Sequence, residues 1–214
     1  MVSTCIPWSR MLRSWFMQIA RLEARYAADC EHLLGRVRQK IRRPFWVPGE
    51  VVREAIWAAG FQVLREPLER GVLGVCDPED RRVLFAKNFR VRLKCPRVAS
   101  KVLTSTLAHE LGHVRLHAAA LRAGDWEPHW EQEATLYARV FLVPRPMLMN
   151  CLQVRGLLES QGAGQSRRWS YVLRLAEEFL VSGAFMAHTL KAYGLITFNA
   201  RTRFIGLWDE AQTA

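Results

Sequence analysis

The chain has 214 residues, 50% of them hydrophobic, which is enough to bury a sizeable core in one domain or in a core with an appendage. Its net charge of +11 favours polyanionic partners. We find no apolar run of about 18 residues and no N-terminal secretion signal, so we expect a cytoplasmic protein that neither spans a membrane nor is exported. The five scattered cysteines form no Cys-x-x-Cys pair, which indicates reduced thiols.

The N-terminal part, residues 1–48, predicts a basic amphipathic helical segment. Apolar side chains recur there every three to four residues, and Pro44 and Pro48 end the pattern. A second helix is predicted over about residues 51–59, with Gly60 as its C-cap.

Three short apolar runs come next and predict a small antiparallel sheet packed on helices. They cover residues 61–64, 72–76 and 83–86, with turn-like residues between them. Because the last run precedes the long helix that follows, we expect Phe85 to Phe89 to form an edge strand that holds a peptide by strand addition.

Helices are predicted for most of the remaining chain. One begins after Pro96 and extends to about Ala120, another covers Trp130 to Pro144, and a last one covers about residues 170–192. The predicted fold class is therefore α+β. We expect three parts, namely a helical segment at 1–48, a core at 49–150 and a C-terminal helical extension at 151–214.

The most informative motif is His-Glu-Leu-Gly-His at residues 109–113. Two histidines four residues apart on a helix project from one face, so His109 and His113 are candidate zinc ligands. Glu110 would lie beside the metal, where it could act as general base on a water molecule. The motif predicts a catalytic zinc site that needs one further ligand.

The helix predicted to begin at Trp130 offers that third ligand. Glu131 and Glu133 point about 200° apart around a helix, so only one of them can face the metal. Thr135 favours Glu131, because it lies one turn later on the same face and its hydroxyl could hold the free ring N–H of a zinc-bound histidine. Glu133 would then point toward Arg139 or solvent.

These residues resemble the ImmA/IrrE family of bacterial metallopeptidases. The similarity consists of HELGH, then ExEAxxxAxxFLVP at residues 131–144, then a helical tail at 175–195, within a stretch from about residue 50 to 198. Thr135 stands where the family usually has Asn or Asp, and Tyr137 stands where it has Phe. A hydroxyl can still accept the hydrogen bond, and the second change conserves packing.

The resemblance implies a gluzincin-type zinc endopeptidase with a regulatory role. His109, His113 and Glu131 would hold Zn²⁺, with Glu110 as the base. Its protein substrate would be a helix-turn-helix repressor, cleaved in response to DNA damage or single-stranded DNA, as in the CapP-like branch of antiphage operons. The alternatives are a DNA-binding regulator with a non-catalytic zinc site and a binding module that only contacts a repressor.

A basic stretch at residues 81–101 predicts single-stranded DNA as a further partner. It carries eight Lys or Arg and no acid, and Phe85 and Phe89 lie among the cations. Single-strand binding proteins combine such cations with stacking aromatics. The alternative is that these charges form an ordinary solvated face.

Two single residues have more than one interpretation. Cys95 lies among cations that would favour its thiolate, so a loop carrying it could block the zinc and keep the enzyme latent, with Cys76 as the next candidate. The alternative is that both are inert thiols. His117 continues the four-residue series, but an ideal helix carries it one turn past the ion, which favours a surface or supporting position over a ligand.

Overall fold

The structure, a computed structural model, describes residues 22, 24–33, 47–87 and 95–207, and everything below refers to this part of the chain. It contains nine helices: α1 (residues 24–33), α2 (Gly49–Ala58), α3 (Pro96–Leu116), α4 (Ala118–Arg122), α5 (Trp130–Leu142), α6 (Arg145–Met149), α7 (Leu152–Leu158), α8 (Gln165–Glu178) and α9 (Gly183–Ala192). Its five strands are β1 (Gln62–Glu66), β2 (Gly74–Asp77), β3 (Arg82–Ala86), β4 (Ile196–Asn199) and β5 (Phe204–Leu207). The predicted α+β class is confirmed.

The first sheet is mixed, whereas the sequence predicted an antiparallel one. Its strand order is β1-β3-β2, with β1 parallel and β2 antiparallel to β3. The prediction that Phe85 belongs to an edge strand is therefore wrong. The strand β3 lies in the centre of the sheet, where Val83 and Phe85 are buried. Phe89 falls outside the described residues. The edge strand that packs against α3 is β2.

The helices α3 and α5 cross at close range in the core, at Gly112 and Ala134. A Cβ built on Gly112 would lie 2.8 Å from the Cα and 2.9 Å from the carbonyl oxygen of Ala134. Around this point both helices bury apolar side chains, among them Leu111 and Phe141. A helix-interior glycine costs about 1 kcal/mol in propensity relative to alanine, so its presence here reflects the space that the crossing requires.

The helix α1 is tied to that crossing by a partly buried polar contact. Asp29 accepts hydrogen bonds from the Arg115 guanidinium and, at 2.6 Å, from the Tyr137 hydroxyl. Tyr26 and Cys30 of the same helix are buried in the main core. The described part of the N-terminal segment thus packs directly on α3 and α5.

Two predicted helices are each divided in the structure, and one hairpin was missed. The long helix breaks at His117, where φ is −122°, into α3 and α4. The last predicted helix breaks near Leu180, whose φ is +54°, and α9 begins after the Ser182 cap. The β4–β5 hairpin follows, with the Asn199 side chain accepting turn N–H groups.

None of the helices described here combines the length and the apolar content that crossing a membrane requires.

The close crossing generates a stability prediction for Gly112→Ala. The gain of about 1 kcal/mol in helix propensity is outweighed by contact with backbone atoms that cannot rotate away, so we expect a net loss of roughly 1–3 kcal/mol in the free energy of unfolding. Gly164→Ala is the control, because no atom lies within 4 Å of that Cβ and its φ is −65°. Urea unfolding measures the free energy of unfolding of both variants and of wild type. A Gly112→Ala protein as stable as wild type would contradict the role given to the crossing.

Candidate metal centre

Three side chains from α3 and α5 converge on one point. The Nε2 atoms of His109 and His113 are 3.2 Å apart, and the Glu131 carboxylate lies 3.1 Å from the first and 3.3 Å from the second. The ligand atoms of the three residues all lie within 4.8 Å of one another. Two imidazoles and a carboxylate with this spacing form a donor set that fits a zinc ion.

Helix geometry explains how these residues meet. The two histidines lie one turn apart on α3, and Glu131 lies in the first turn of α5, close to where Gly112 and Ala134 bring the helices together. Thr135 Oγ1 is 3.2 Å from His109 Nδ1, which is the contact that its position one turn after Glu131 predicted. The Glu131 side chain is 57% exposed whereas His113 is 9% exposed, so the centre opens toward solvent on the Glu131 side.

The state of the two histidines suits metal binding. Burial lowers the pKa of His109, although the nearby Glu131 acts in the opposite direction. Burial also lowers the pKa of His113, and the neighbouring His109 adds to the effect. Both imidazoles are therefore neutral at neutral pH, which is the form that coordinates metals.

Glu110 is buried beside the three converging side chains. Burial raises the pKa of its carboxyl to about 8, the negative charge of Glu131 adds to the rise, and a backbone hydrogen bond from Cys76 opposes it. A carboxyl with a raised pKa next to a cluster of candidate ligands is typical of a residue that handles protons. A positive ion at the centre would favour the carboxylate.

The strand β2 approaches Glu110 more closely than its sequence suggested. A Cβ on Gly74 would lie 2.6 Å from Glu110 Oε1 and 2.7 Å from Thr106 Cγ2. Our sequence analysis did not single out Gly74, although a glycine inside a strand often marks a close approach. Gly74 leaves the space that the Glu110 carboxyl occupies.

His117 and Glu133 are brought together behind the candidate ligands. His117 Nε2 lies 3.0 Å from Glu133 Oε2, and His117 Nδ1 lies 3.1 Å from His113 Nδ1. The expectation that Glu133 points toward Arg139 or solvent is therefore wrong. The four-residue spacing from His113 to His117 was noticed in the sequence, but the link to Glu133 depends on how α5 packs against α3.

Tyr137 is occupied by a structural contact. Its ring is fully buried, its hydroxyl donates to Asp29, and burial raises the pKa of that hydroxyl. His129, in contrast, is exposed at the N-terminus of α5, with Nδ1 3.9 Å from a Glu127 oxygen. Neither residue is part of the converging group.

The structure contradicts the thiol block that was considered for Cys95. Cys95 is exposed and occupies the N-cap position of α3, whereas His109 lies 14 residues further along the chain, within that helix. At 1.5 Å per residue that separation is roughly 21 Å, far beyond a Zn–S bond of about 2.3 Å. Backbone hydrogen bonds from Val98 and Arg97 lower the pKa of the Cys95 thiol, and the Arg97 charge assists.

Cys76 lies close to Glu110, but its thiol is not part of the converging group of ligand atoms. Its side chain packs against the core, and burial together with the charges of Glu110 and Asp77 raises the pKa of its thiol to about 12. The thiolate that zinc prefers is thus disfavoured there. Cys76 contributes instead through its backbone, which hydrogen-bonds to Glu110.

Part of the basic stretch serves internal ion pairs. Lys101 is buried and donates to Glu177 at 2.5 Å, and Arg97 donates to the same carboxylate at 2.6 Å. Arg82 pairs with Asp77 at 2.9 Å.

Phe85, which was expected to stack on bases, is buried, and two guanidinium groups lie over its ring. Arg53 lies 5.6 Å and Arg65 lies 5.8 Å from its ring centre. Its ring is therefore not available to a nucleobase. Of the other five cations in the basic stretch, Arg81 and Lys87 are exposed, and Arg90, Arg92 and Lys94 fall outside the described residues.

Comparison with known families agrees with the position of the centre. Residues 103–191 match the family model described as IrrE N-terminal-like domain (Peptidase_M78). The matched stretch begins within α3, contains the candidate ligands and ends within α9. This match supports the resemblance to the ImmA/IrrE family and a metallopeptidase-type enzyme, a type that implies a metal, typically zinc. No curated protein matches the chain.

The raised pKa of Glu110 predicts how the stability of the metal-free protein depends on pH. Below pH 4.5 the carboxyl is protonated in both the folded and the unfolded chain, but between 4.5 and about 8 only the folded chain keeps the proton. The contribution of Glu110 to wild-type stability therefore falls as pH rises through this window, at about 1.4 kcal/mol per unit of pKa difference. Glu110→Gln cannot titrate, so its advantage over wild type should grow to several kcal/mol by pH 8.

Unfolding by urea in the presence of a chelator, at pH 4.5 and at pH 8, measures this difference. The exposed Glu159→Gln is the control and should follow wild type at both values. A gap between Glu110→Gln and wild type that stays constant with pH would contradict the assigned environment of Glu110.

The ligand geometry predicts that Glu131→Ala weakens zinc binding by more than about 100-fold, beyond the 10–100-fold typical of supporting residues. The variant removes one of the three converging donors and leaves two imidazoles. Competition with a chromophoric chelator measures the affinity, and the neighbouring exposed Gln132→Ala should bind as wild type does. Equal affinities for the two variants would remove Glu131 from the ligand set.

Proposed function

We propose that this chain is a zinc-dependent regulatory endopeptidase in which His109, His113 and Glu131 hold the metal and Glu110 acts as general base. The observation that carries the proposal is the convergence of the three ligand atoms within 4.8 Å, beside a buried carboxyl whose pKa is raised to about 8. The family match over residues 103–191 supports the same class of enzyme.

The zinc ion, when bound, would polarise the scissile carbonyl and lower the pKa of a water molecule. The residues of the chain supply the remaining chemistry. Glu110 accepts the proton of the attacking water and returns it to the leaving amine, a double role that suits a carboxyl whose pKa is sensitive to nearby charge. The solvent-facing side of Glu131 leaves access for a substrate.

The strand β2 is the proposed binding edge for the substrate backbone. It is paired to β3 on one side only within the described sheet, it packs on α3, and Val75 is 38% exposed. An extended peptide could add to this edge through main-chain hydrogen bonds. This arrangement favours a protein substrate with an extended segment over a compact small molecule.

The finer assignment follows from the resemblance. The substrate we propose is a helix-turn-helix repressor, and the activating signal is single-stranded DNA or DNA damage, as in the CapP-like branch. The net charge of +11 supports contact with a polyanion. Because Lys101 is buried, and Arg82 and Arg97 already pair with carboxylates, we expect the contacts to come from other cations, with Arg90, Arg92 and Lys94 as the first candidates.

The alternative function is a DNA-binding regulator or binding module with a non-catalytic zinc site. A structural zinc site is closed by a fourth protein ligand and has no need of an adjacent base. Among the described residues, three His, Cys, Asp or Glu side chains form the candidate group, and Glu110 lies next to them. These features favour the catalytic proposal.

The deciding prediction is that the wild type cleaves a candidate helix-turn-helix repressor and that Glu110→Gln does not, although the variant still binds zinc. The amide keeps the shape of the carboxyl but cannot accept the proton of the water. The chain is incubated with the repressor, with and without chelator and single-stranded DNA, and zinc content is measured in parallel.

His109→Ala serves as the comparison in this experiment and should lose both the metal and cleavage. Cleavage by Glu110→Gln at the wild-type rate would refute the assignment of Glu110 as general base. Cleavage that persists in the chelator would refute the dependence on a metal. Cleavage that is independent of DNA would refute only the proposed activating signal.

A further inference from the structure

A hydrogen-bonded row of side chains leads away from the candidate metal centre behind His113. His113 Nδ1 lies 3.1 Å from His117 Nδ1, and His117 Nε2 lies 3.0 Å from Glu133 Oε2. His117 is only 4% exposed, and the Glu133 side chain is 27% exposed. This row is distinct from the contact between Thr135 and His109.

The chemistry of the three groups sets the direction of each hydrogen bond. An ionised carboxylate only accepts, so His117 Nε2 carries the hydrogen that points to Glu133. A neutral His117 then presents the lone pair of Nδ1 to His113. His113 Nδ1 must in turn be the donor, which leaves the lone pair of His113 Nε2 directed at His109 and Glu131.

We propose that His117 and Glu133 are positioning residues that fix His113 in the Nδ1–H tautomer and so present its Nε2 to the metal. The inference deepens the proposed function, because it rests on His113 being a ligand. Ligating histidines commonly donate their second ring N–H to an acceptor that fixes ring orientation and raises ligand basicity. Here the acceptor is a second histidine backed by a carboxylate.

Local packing holds His117 in the orientation that this role requires. Its ring stacks on Trp130, with centroids 4.8 Å apart and planes 7° apart. The helix break at His117 changes the backbone there, while its N–H still donates to the His113 carbonyl at 2.9 Å. Trp130 and Glu133 both come from the first turn of α5, the same turn that provides Glu131.

The two proposed histidine ligands thus have different supports. Thr135 offers His109 a neutral hydroxyl at 3.2 Å, whereas the row behind His113 ends on a carboxylate. A hydrogen bond backed by negative charge is stronger than a neutral one. We expect His113 to depend on its support more than His109 depends on Thr135.

The first test compares zinc affinities of two His117 variants by chelator competition. His117→Phe keeps a ring to stack on Trp130 but has no acceptor, and we expect zinc affinity to fall about 10–100-fold. His117→Asn places an amide oxygen near the former Nδ1, so it should recover much of that loss. The exposed His129→Phe is the control and should match wild type.

The same logic applies to the carboxylate. Glu133→Gln retains an oxygen that can accept from His117 Nε2, and we expect a smaller loss of zinc affinity than for Glu133→Leu, which retains none. Circular dichroism of each variant shows whether the helices are kept. If both Glu133 variants bind zinc as wild type does, the role of Glu133 is refuted.

The second test measures the tautomer itself on the metal-free wild type, by nitrogen-15 NMR of the imidazole groups. We expect His113 to carry its hydrogen on Nδ1 in wild type and in His117→Asn, and to lose that preference in His117→Phe. An Nε2–H form of His113 in wild type would overturn the proposal, as would wild-type zinc affinity in His117→Phe.

These readouts do not require peptide cleavage. Tight zinc binding and an Nδ1–H His113 in a protein that cleaves no repressor would refute the proposed function and leave this inference standing. Repressor cleavage together with unchanged zinc affinity in His117→Phe would support the proposed function and refute this inference.

Discussion

The close crossing of α3 and α5 at Gly112 and Ala134 is the constraint on which the rest of the centre depends. With Gly112, the backbones approach to a distance that a side chain at this position would prevent. One helix then supplies His109 and His113 on successive turns and His117 at its C-cap, and the other supplies its first turn with Glu131 and Glu133. A small shift of α5 would move both carboxylates together.

Burial near this crossing sets the protonation states of the centre. The low dielectric that keeps both candidate histidine ligands neutral also raises the pKa of Glu110, so the metal-free centre carries less charge than its carboxyl groups would have in water. A divalent cation would reverse the preference of Glu110 and favour its ionised form. The chain therefore combines two neutral imidazole donors with a base whose protonation responds to the ion.

Local helix geometry made much of the centre predictable from the sequence. The pairing of His109 with His113 and the choice of Glu131 over Glu133 both follow from residue spacing on single helices, as does the contact from Thr135. The α+β class followed from the order of apolar runs and helical patterns. These inferences needed no knowledge of distant contacts.

Long-range packing accounts for the predictions that were wrong or missed. Strand order within the sheet depends on which segments pair, so β3 could be taken for an edge and the parallel β1 pairing was not foreseen. Cys95 was placed near the metal because the length of α3 between it and His109 was not taken into account. The row from His113 to Glu133 could not be predicted without knowing how α3 and α5 pack. The strands β4 and β5 have four residues each, which is too short for their alternation of apolar and polar residues to be recognised.

X-ray absorption spectroscopy of the zinc-loaded wild type tests the central claim most directly, because it identifies the atoms bound to the ion. Our account predicts one tightly bound zinc per chain, with two imidazole nitrogens and at least one oxygen in the first shell and no sulfur. A first shell that contains sulfur, or one that keeps both imidazoles in His109→Ala, would contradict the assigned centre.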